Sequence, residues 1–293
     1  MLWFILATCS AILSAASAIL QKKILNILDA LEFSFSVSLA IVILSLFIPW
    51  TTDISAIPPQ ALMIIIGKSI LGASAFLLVM LSLKNNQISS ALPLLGLTPA
   101  ATALASLLII GEGIHPAEWM GIGLMIVGVG MLDNRSGREI IQPFRSMFSS
   151  KKYFYVFGAV SLFAFSSIFD KVLVSGLRIA PLVVLFYQHL VYTILFLIVL
   201  LIRRVSPALI YQKAETQWPL IAVVAALTLA YRFTQLEATA LAPVALVLAV
   251  KRTSILYASF FGGRIFSEDH LQRKLIGALL IVAAGFLIMR NVG

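Results

Sequence analysis

IIGEGIHPAEWMGIGLMIVGVGML (residues 109–132) and GGRIFSEDHLQRKLIGALLIVAAGFLI (residues 262–288) lie about 155 residues apart and share one plan. Each has a glutamate, then a glycine nine residues later, then a long apolar run: Glu112 to Gly121, and Glu268 to Gly277. Upstream, LKNNQISSALPLLGLT (83–98) lies over LEATALAPVALVLAVK (236–251) without a gap. Further upstream, SAASAIL before Lys23-Ile24-Leu25 answers AFSSIF before Lys171-Val172-Leu173. The chain is therefore a unit written twice.

Composition says what the unit is. The 293 residues are 61% hydrophobic and 11% charged, with a mean hydropathy of +1.05. A soluble domain holds roughly 25% charged residues. A bilayer core about 30 Å thick needs about 20 apolar residues in a helix. Ten such runs are present, near 2–20, 30–50, 60–83, 88–110, 115–133, 153–173, 180–202, 217–238, 242–262 and 271–290. They are continuously apolar and do not alternate, which argues against a β-barrel. The expected fold is all-α: a polytopic membrane protein of ten transmembrane helices in two five-helix repeats, 1–134 and 153–293, joined by a basic loop, 135–152. Five is odd, so the second repeat enters the bilayer the other way round, giving an inverted repeat. Secondary transporters recurrently use this plan, with the substrate at mid-depth between the halves.

The N-terminal MLWFILATCSAILSAASAIL lacks a basic start and reads as a retained span rather than a cleaved signal. Basic residues gather in or beside the odd-numbered loops (Lys22, Lys84, Arg203, Lys213 and Lys274 among them), whereas Lys171, Arg178 and Arg290 lie on the other side. The positive-inside rule then puts the odd loops in the cytoplasm and both termini outside. The net charge of +9 reads as topology-setting loop residues, with no nucleic-acid partner.

The residues resemble the EamA-type members of the drug/metabolite transporter superfamily over almost the whole chain. The likeness rests on the doubled unit, on ALPLLGLTPAATALASLLIIGE (91–112), and on Glu268 with IGALLIVAAG (276–285). It implies a transporter of amino acids, nucleotide sugars, sugar phosphates, drugs or lipid-linked precursors. A bacterial inner membrane is the expected location. The second half departs from the family's Gly-Glu-Arg, having Gly262-Gly263-Arg264 with Glu268 offset; that glutamate is expected to cap a helix end. Members of the family are usually drawn with cytoplasmic termini, against the basic-residue count.

Candidate site residues are the polar groups inside spans. Lys251 and Arg252 stand side by side in LVLAVKRTSILYASFF (246–261), where a Lys or Arg costs roughly 2.5–3.5 kcal/mol each on insertion scales. The first half has Thr98 and Pro99 there, so the fold does not require the pair. The acids near the spans, Glu32, Glu112, Asp170, Glu237 and Glu268, all fall near helix ends. Two cations without a mid-depth acid suit an anionic substrate; the alternative is a buried ion pair. The pair also resembles the Lys-Arg of the nucleotide-sugar and triose-phosphate branch, which implies binding of a substrate phosphate.

Arg232, with Tyr231 adjacent and Gln235 one turn on, is a third positive group, or else a partner of Glu237. Lys68 is either a fourth or a snorkelling lysine. Tyr187, Gln188, His189 and Tyr192 cluster in one span, with Gln188 and Tyr192 sharing a cavity-facing side. His189 and Asp170 are candidates for ion coupling, against a packing role for the first and an interfacial pair with Lys171 for the second. Gly121, Gly123, Gly128 and Gly130 are read as close-packing positions, and Pro93, Pro99 and Pro243 as breaks in spans four and nine.

No P-loop occurs, so ATP does not drive transport directly. The single Cys9 excludes an internal disulfide, and His115, His189 and His270 stand far apart without HExxH. No catalytic residue, metal site or cofactor is expected. The expected function is secondary transport of a small polar, anionic or phosphorylated metabolite by alternating access, acting as a monomer or homodimer in the lipid bilayer. Alternatives are an amino-acid or drug exporter, a flippase for a lipid-linked precursor, or outside transport a scaffold or sensor. Convergence of the basic residues on one cavity separates these readings.

Overall fold

The computed structural model describes residues 1–48, 57–98, 100–101, 104, 116–133, 151–242, 247 and 250–289. Among these residues the chain forms eleven α-helices and no strand. The first half gives α1 (Leu2–Leu25), α2 (Ala30–Leu44), α3 (Pro59–Asn85), α4 (Ile88–Leu95) and α5 (Pro116–Asp133). The second gives α6 (Lys151–Lys171), α7 (Pro181–Ile202), a short connecting α8 (Pro207–Ala214), α9 (Trp218–Leu241), α10 (Ser254–Ile265) and α11 (Leu271–Met289). Among the described residues four stretches are long and apolar enough to cross a membrane: Leu2–Leu25, Pro59–Asn85, Pro181–Ile202 and Ile210–Leu241. Much of the expected spans four and nine, one or two end residues of spans two, five and ten, and most of the connecting loop 135–152 fall outside the described residues.

Burial is inverted relative to a water-soluble protein. Met63, Ile66, Ile70, Ile198 and Ile202 face outward, whereas Lys68 is buried. An outer surface of this kind is stable against lipid, which imposes no cost on exposed apolar side chains.

The helix pairings carry the repeat. α1 packs on α9 as α6 packs on α3; α2 packs on α9 as α7 packs on α3; α1 meets α10 as α6 meets α4. The pairs α2 with α7, α4 with α10, and α5 with α11 are each their own image under exchange of the halves. The self-paired helices run antiparallel. In α5 and α11, Gly128 meets Gly277 while Met125 lies beside Gly285. In α2 and α7, Leu31 clusters with Phe196 and Leu200, and Val42 with Val183 and Phe186. A two-fold axis along the helices would leave such pairs parallel; only an axis across them, in the membrane plane, reverses them. The two repeats are inverted, as an odd number of helices requires.

Glycine makes the tightest crossing possible. A Cβ on Gly128 would sit 2.8 Å from the carbonyl oxygen of Gly277, and one on Gly277 would sit 2.7 Å from that of Gly128. Gly123 was expected to join this packing and does not: an added Cβ there meets nothing within 4 Å. Its face of α5 points away from α11.

The helix ends show how the halves are tied. Glu268 lies in the turn between α10 and α11, with Ser267 and His270 in left-handed conformations at φ 49° and 53°. Its carboxylate accepts the N–H groups of Ile88 (2.5 Å) and Ser89 (3.0 Å) and the Ser89 hydroxyl. It therefore caps α4, a helix of the other repeat, placing a negative group against the positive end of the helix dipole. Loss of two first-turn acceptors should cost about 1–2 kcal/mol in Glu268→Ala. Thermal unfolding in detergent reads the loss, and an unchanged midpoint would show the cap to be incidental.

Candidate functional site

The site is built where spans four and nine are interrupted. α4 contains Pro93 in its last turn, and beyond Leu95 the chain tightens: the N–H groups of Gly96 and Leu97 bond the carbonyls three residues back. The Thr98 hydroxyl then donates to the Leu95 carbonyl at 2.7 Å. Before α10 the same device recurs, with the Thr253 N–H (3.1 Å) and hydroxyl (2.7 Å) both donating to the Val250 carbonyl. Lys251 and Arg252 sit inside that second interruption. Pro99 and Pro243 lie outside the described residues.

A cavity of about 160 Å³ opens beside the pair, with room for several water molecules. Tyr231, Lys251, Arg252 and Ser254 line it together with Phe76, Phe163 and, from α1, Ser14 and Gln21. The Lys251 ammonium donates to Gln235 Oε1 and lies 5.0 Å from the centre of the Tyr231 ring. The Arg252 Nε is buried without a hydrogen-bond partner among the described residues. A hydrogen bond to a charged group contributes about 1.5–3 kcal/mol and a cation–π contact about 0.5–2. Lys251 recovers part of its insertion cost this way, and Arg252 has neither contact among the described residues.

The remaining candidates form a second group joined to the first through Gln235. Arg232 donates to Gln235 Oε1 at 3.3 Å and to Asp170 Oδ2 at 3.1 Å. Lys68, 1% exposed, pairs with the other carboxylate oxygen of Asp170 and donates to Gln188 Oε1 at 2.8 Å. The chain Gln188–Lys68–Asp170–Arg232–Gln235–Lys251 thus crosses from the second repeat to the first and back.

Asp170 corrects the expectation that no acid stands among the deep cations. It is 9% exposed, wedged between α3 and α9, its two oxygens paired with Lys68 and Arg232; the side chain of Lys171, the partner expected from sequence, lies outside what the structure describes. The helix does not end at Lys171: it continues as a π-turn, Val172–Gly176, before Arg178 (φ 53°) turns the chain. Arg232 accordingly bonds Asp170 and has no bond to Glu237 among the described contacts. Lys68 does not snorkel.

Gln188, His189 and Tyr192 do not line this cavity. Gln188 serves Lys68. His189 is buried, its ring 5.2 Å from that of Tyr192, with neither nitrogen hydrogen-bonded among the described residues. Tyr192 packs with Phe76 and Phe196, and its hydroxyl lies 2.1 Å from where a Cβ on Gly72 would stand.

The far end of the molecule is tied by ionic contacts that sequence reading did not single out. Lys22 donates to the carbonyls of Leu83 (2.5 Å) and Asn86 (2.8 Å). Lys84 pairs with Asp29; Lys213 pairs with Glu32 at 2.8 Å, joining the two repeats. Lys274 reaches Gln87, likewise across the repeats. The hydrogen bond from Lys84 is the main cause that holds the Asp29 carboxyl below its ordinary value of 3.8. A depressed carboxyl contributes its full stability above the ordinary value and loses it as pH falls through the folded one. The difference in unfolding midpoint between wild type and Asp29→Asn should therefore be constant from pH 7 to pH 5 and close below pH 3.8. Screening by salt should shrink it at every pH, because Asp29 is exposed.

The doubled helical unit is also what comparison with known proteins finds. The profile of the EamA-like transporter family matches residues 1–132 and, again, residues 150–290. The chain belongs to the EamA-like transporter family. It is accordingly an integral membrane protein of a family of small-molecule transporters. No curated protein matches its sequence. One solved crystal structure is similar over 97% of this chain and 99% of its own, with a TM-score of 0.57 and 12% identity, a likeness of fold alone.

Proposed function

We propose that this EamA-like transporter carries a small anionic, phosphate- or carboxylate-bearing metabolite by alternating access, in a bacterial inner membrane. The observation that carries the reading is the Lys251–Arg252 pair: two adjacent cations facing a cavity, with no carboxylate ion-paired to either among the described residues. A guanidinium fork beside an ammonium matches the geometry and charge of a phosphate or carboxylate. Tyr231, Phe76 and Phe163 give the non-ionic part of the ligand an apolar and aromatic wall. Lys68 and Asp170 tie the repeats in one set of contacts, with Arg232 on the same carboxylate; Lys213–Glu32 and the Glu268 cap tie them in another. Alternating access requires each set to open in turn.

The test is thermal stability in detergent against sugar phosphates, nucleotide sugars, organic acids, and cationic and zwitterionic amino acids. Wild type should be stabilised by one anionic class, and Lys251→Ala/Arg252→Ala by none. Stabilisation by neutral or cationic compounds alone, equal in both proteins, would favour the amino-acid or drug exporters of the family.

A further inference from the structure

We propose that Asp170 is a built-in counter-anion, which holds Lys68 and Arg232 while the site is empty and yields Arg232 to the substrate when it is loaded. The proposal rests on the anionic-substrate reading and adds a residue and a coupling to it. Three features of the geometry point there. Asp170 is the sole carboxylate ion-paired with the deep cations among the described residues, and its two oxygens are divided between two of them, Lys68 of the first repeat and Arg232 of the second. Arg232 and the cavity-facing Lys251 share one acceptor, Gln235 Oε1. Asp170 itself stands at the junction of α6 with the π-turn Val172–Gly176, an irregularity of a kind frequent at functional sites.

The consequence is a mechanical link. An anion taken up by Lys251 and Arg252 draws Lys251 from Gln235, and the anion then competes with Asp170 for the guanidinium of Arg232. A carboxylate and a phosphate are equivalent partners for such a fork. Asp170 is left with Lys68 alone, and the tie between α3, α6 and α9 loses one of its two bonds. Loading thus frees α9 from α6 within the second repeat, while Lys68–Asp170 still joins the second repeat to the first.

The probe is inorganic phosphate, titrated by thermal shift and by binding calorimetry in detergent. Asp170→Asn should bind phosphate about tenfold more tightly than wild type, because Arg232 is no longer held. Arg232→Gln in the same protein should abolish the gain. A gain that survives Arg232→Gln would reflect the general field of a removed charge, and would overturn the transfer. No gain, with wild-type binding still dependent on Lys251 and Arg252, would overturn Asp170 as counter-anion and leave the anion site standing. Absence of phosphate binding to either protein would overturn both.

A second measurement does not depend on the Asp170 variant folding. With Cys9 replaced by serine, spin labels at Val172 beyond α6 and Val223 on α9, both exposed, report the distance across the Asp170–Arg232 bond. Phosphate should lengthen that distance, and an unchanged distance at saturating phosphate would contradict the proposal.

Discussion

Lys251→Ala/Arg252→Ala is expected to unfold at a higher temperature than wild type while losing all response to anions. The two cations cost roughly 5–7 kcal/mol on insertion scales. Gln235 and Tyr231 offset part of that for Lys251, and the Arg252 Nε has no partner among the described residues. Removing a charge that function requires and the fold does not should stabilise, by about 1–2 kcal/mol and a few degrees in midpoint. Asp170→Ala should do the opposite. It strands Lys68 and Arg232 without their shared carboxylate, and breaking a buried ion pair from one side costs about 3–5 kcal/mol. The opposite signs distinguish a binding pair from a structural one. A double variant that loses stability like Asp170→Ala would mean that Lys251 and Arg252 hold the helices together.

Gly277→Val should be the most damaging single apolar change outside the site. Its Cβ would lie 2.7 Å from the Gly128 carbonyl oxygen, which is helix backbone and cannot swing aside. Overpacking a fitted core costs about 1–3 kcal/mol where side chains can adjust. Here α5 and α11 must separate, so the loss should exceed that range and leave little folded protein in detergent. Gly123→Val on the same helix, with open space at its Cβ, should stay within about 0.5 kcal/mol of wild type. Thermal unfolding and monodispersity of the two variants check the contrast.

These residues also show what the sequence could and could not disclose. Membrane insertion and the doubled unit were legible because both depend on apolar runs of fixed length, and the odd number of spans expected per unit implied inversion. Which glycine of Gly121-x-Gly123 and Gly128 faces a neighbour was not legible, since spacing gives a face and not its partner. Asp170 was misplaced for a similar reason. It ends an apolar run beside Lys171, which in sequence looks like an interface, yet a π-turn carries the helix onward and leaves the carboxylate inside. Lys68 and Arg232 are 102 and 62 positions from it, beyond any local pattern. The cap from Glu268 to Ile88 was expected as a cap, but its helix belongs to the other repeat, 180 positions away. Lys251 and Arg252, by contrast, stood out in the sequence as candidates, because two adjacent charges in an apolar span are costly wherever the chain goes.

Uptake into proteoliposomes tests the central claim most directly. Vesicles holding the purified protein and preloaded with sugar phosphate would be offered labelled phosphate, labelled sugar phosphate or labelled arginine, with Lys251→Ala/Arg252→Ala in parallel. Protein-dependent uptake of an anion by wild type, reduced at least about a hundredfold in the double variant as loss of two charge-assisted contacts implies, is the predicted result. Uptake of arginine with no anion transported, undiminished in the double variant, would contradict the account.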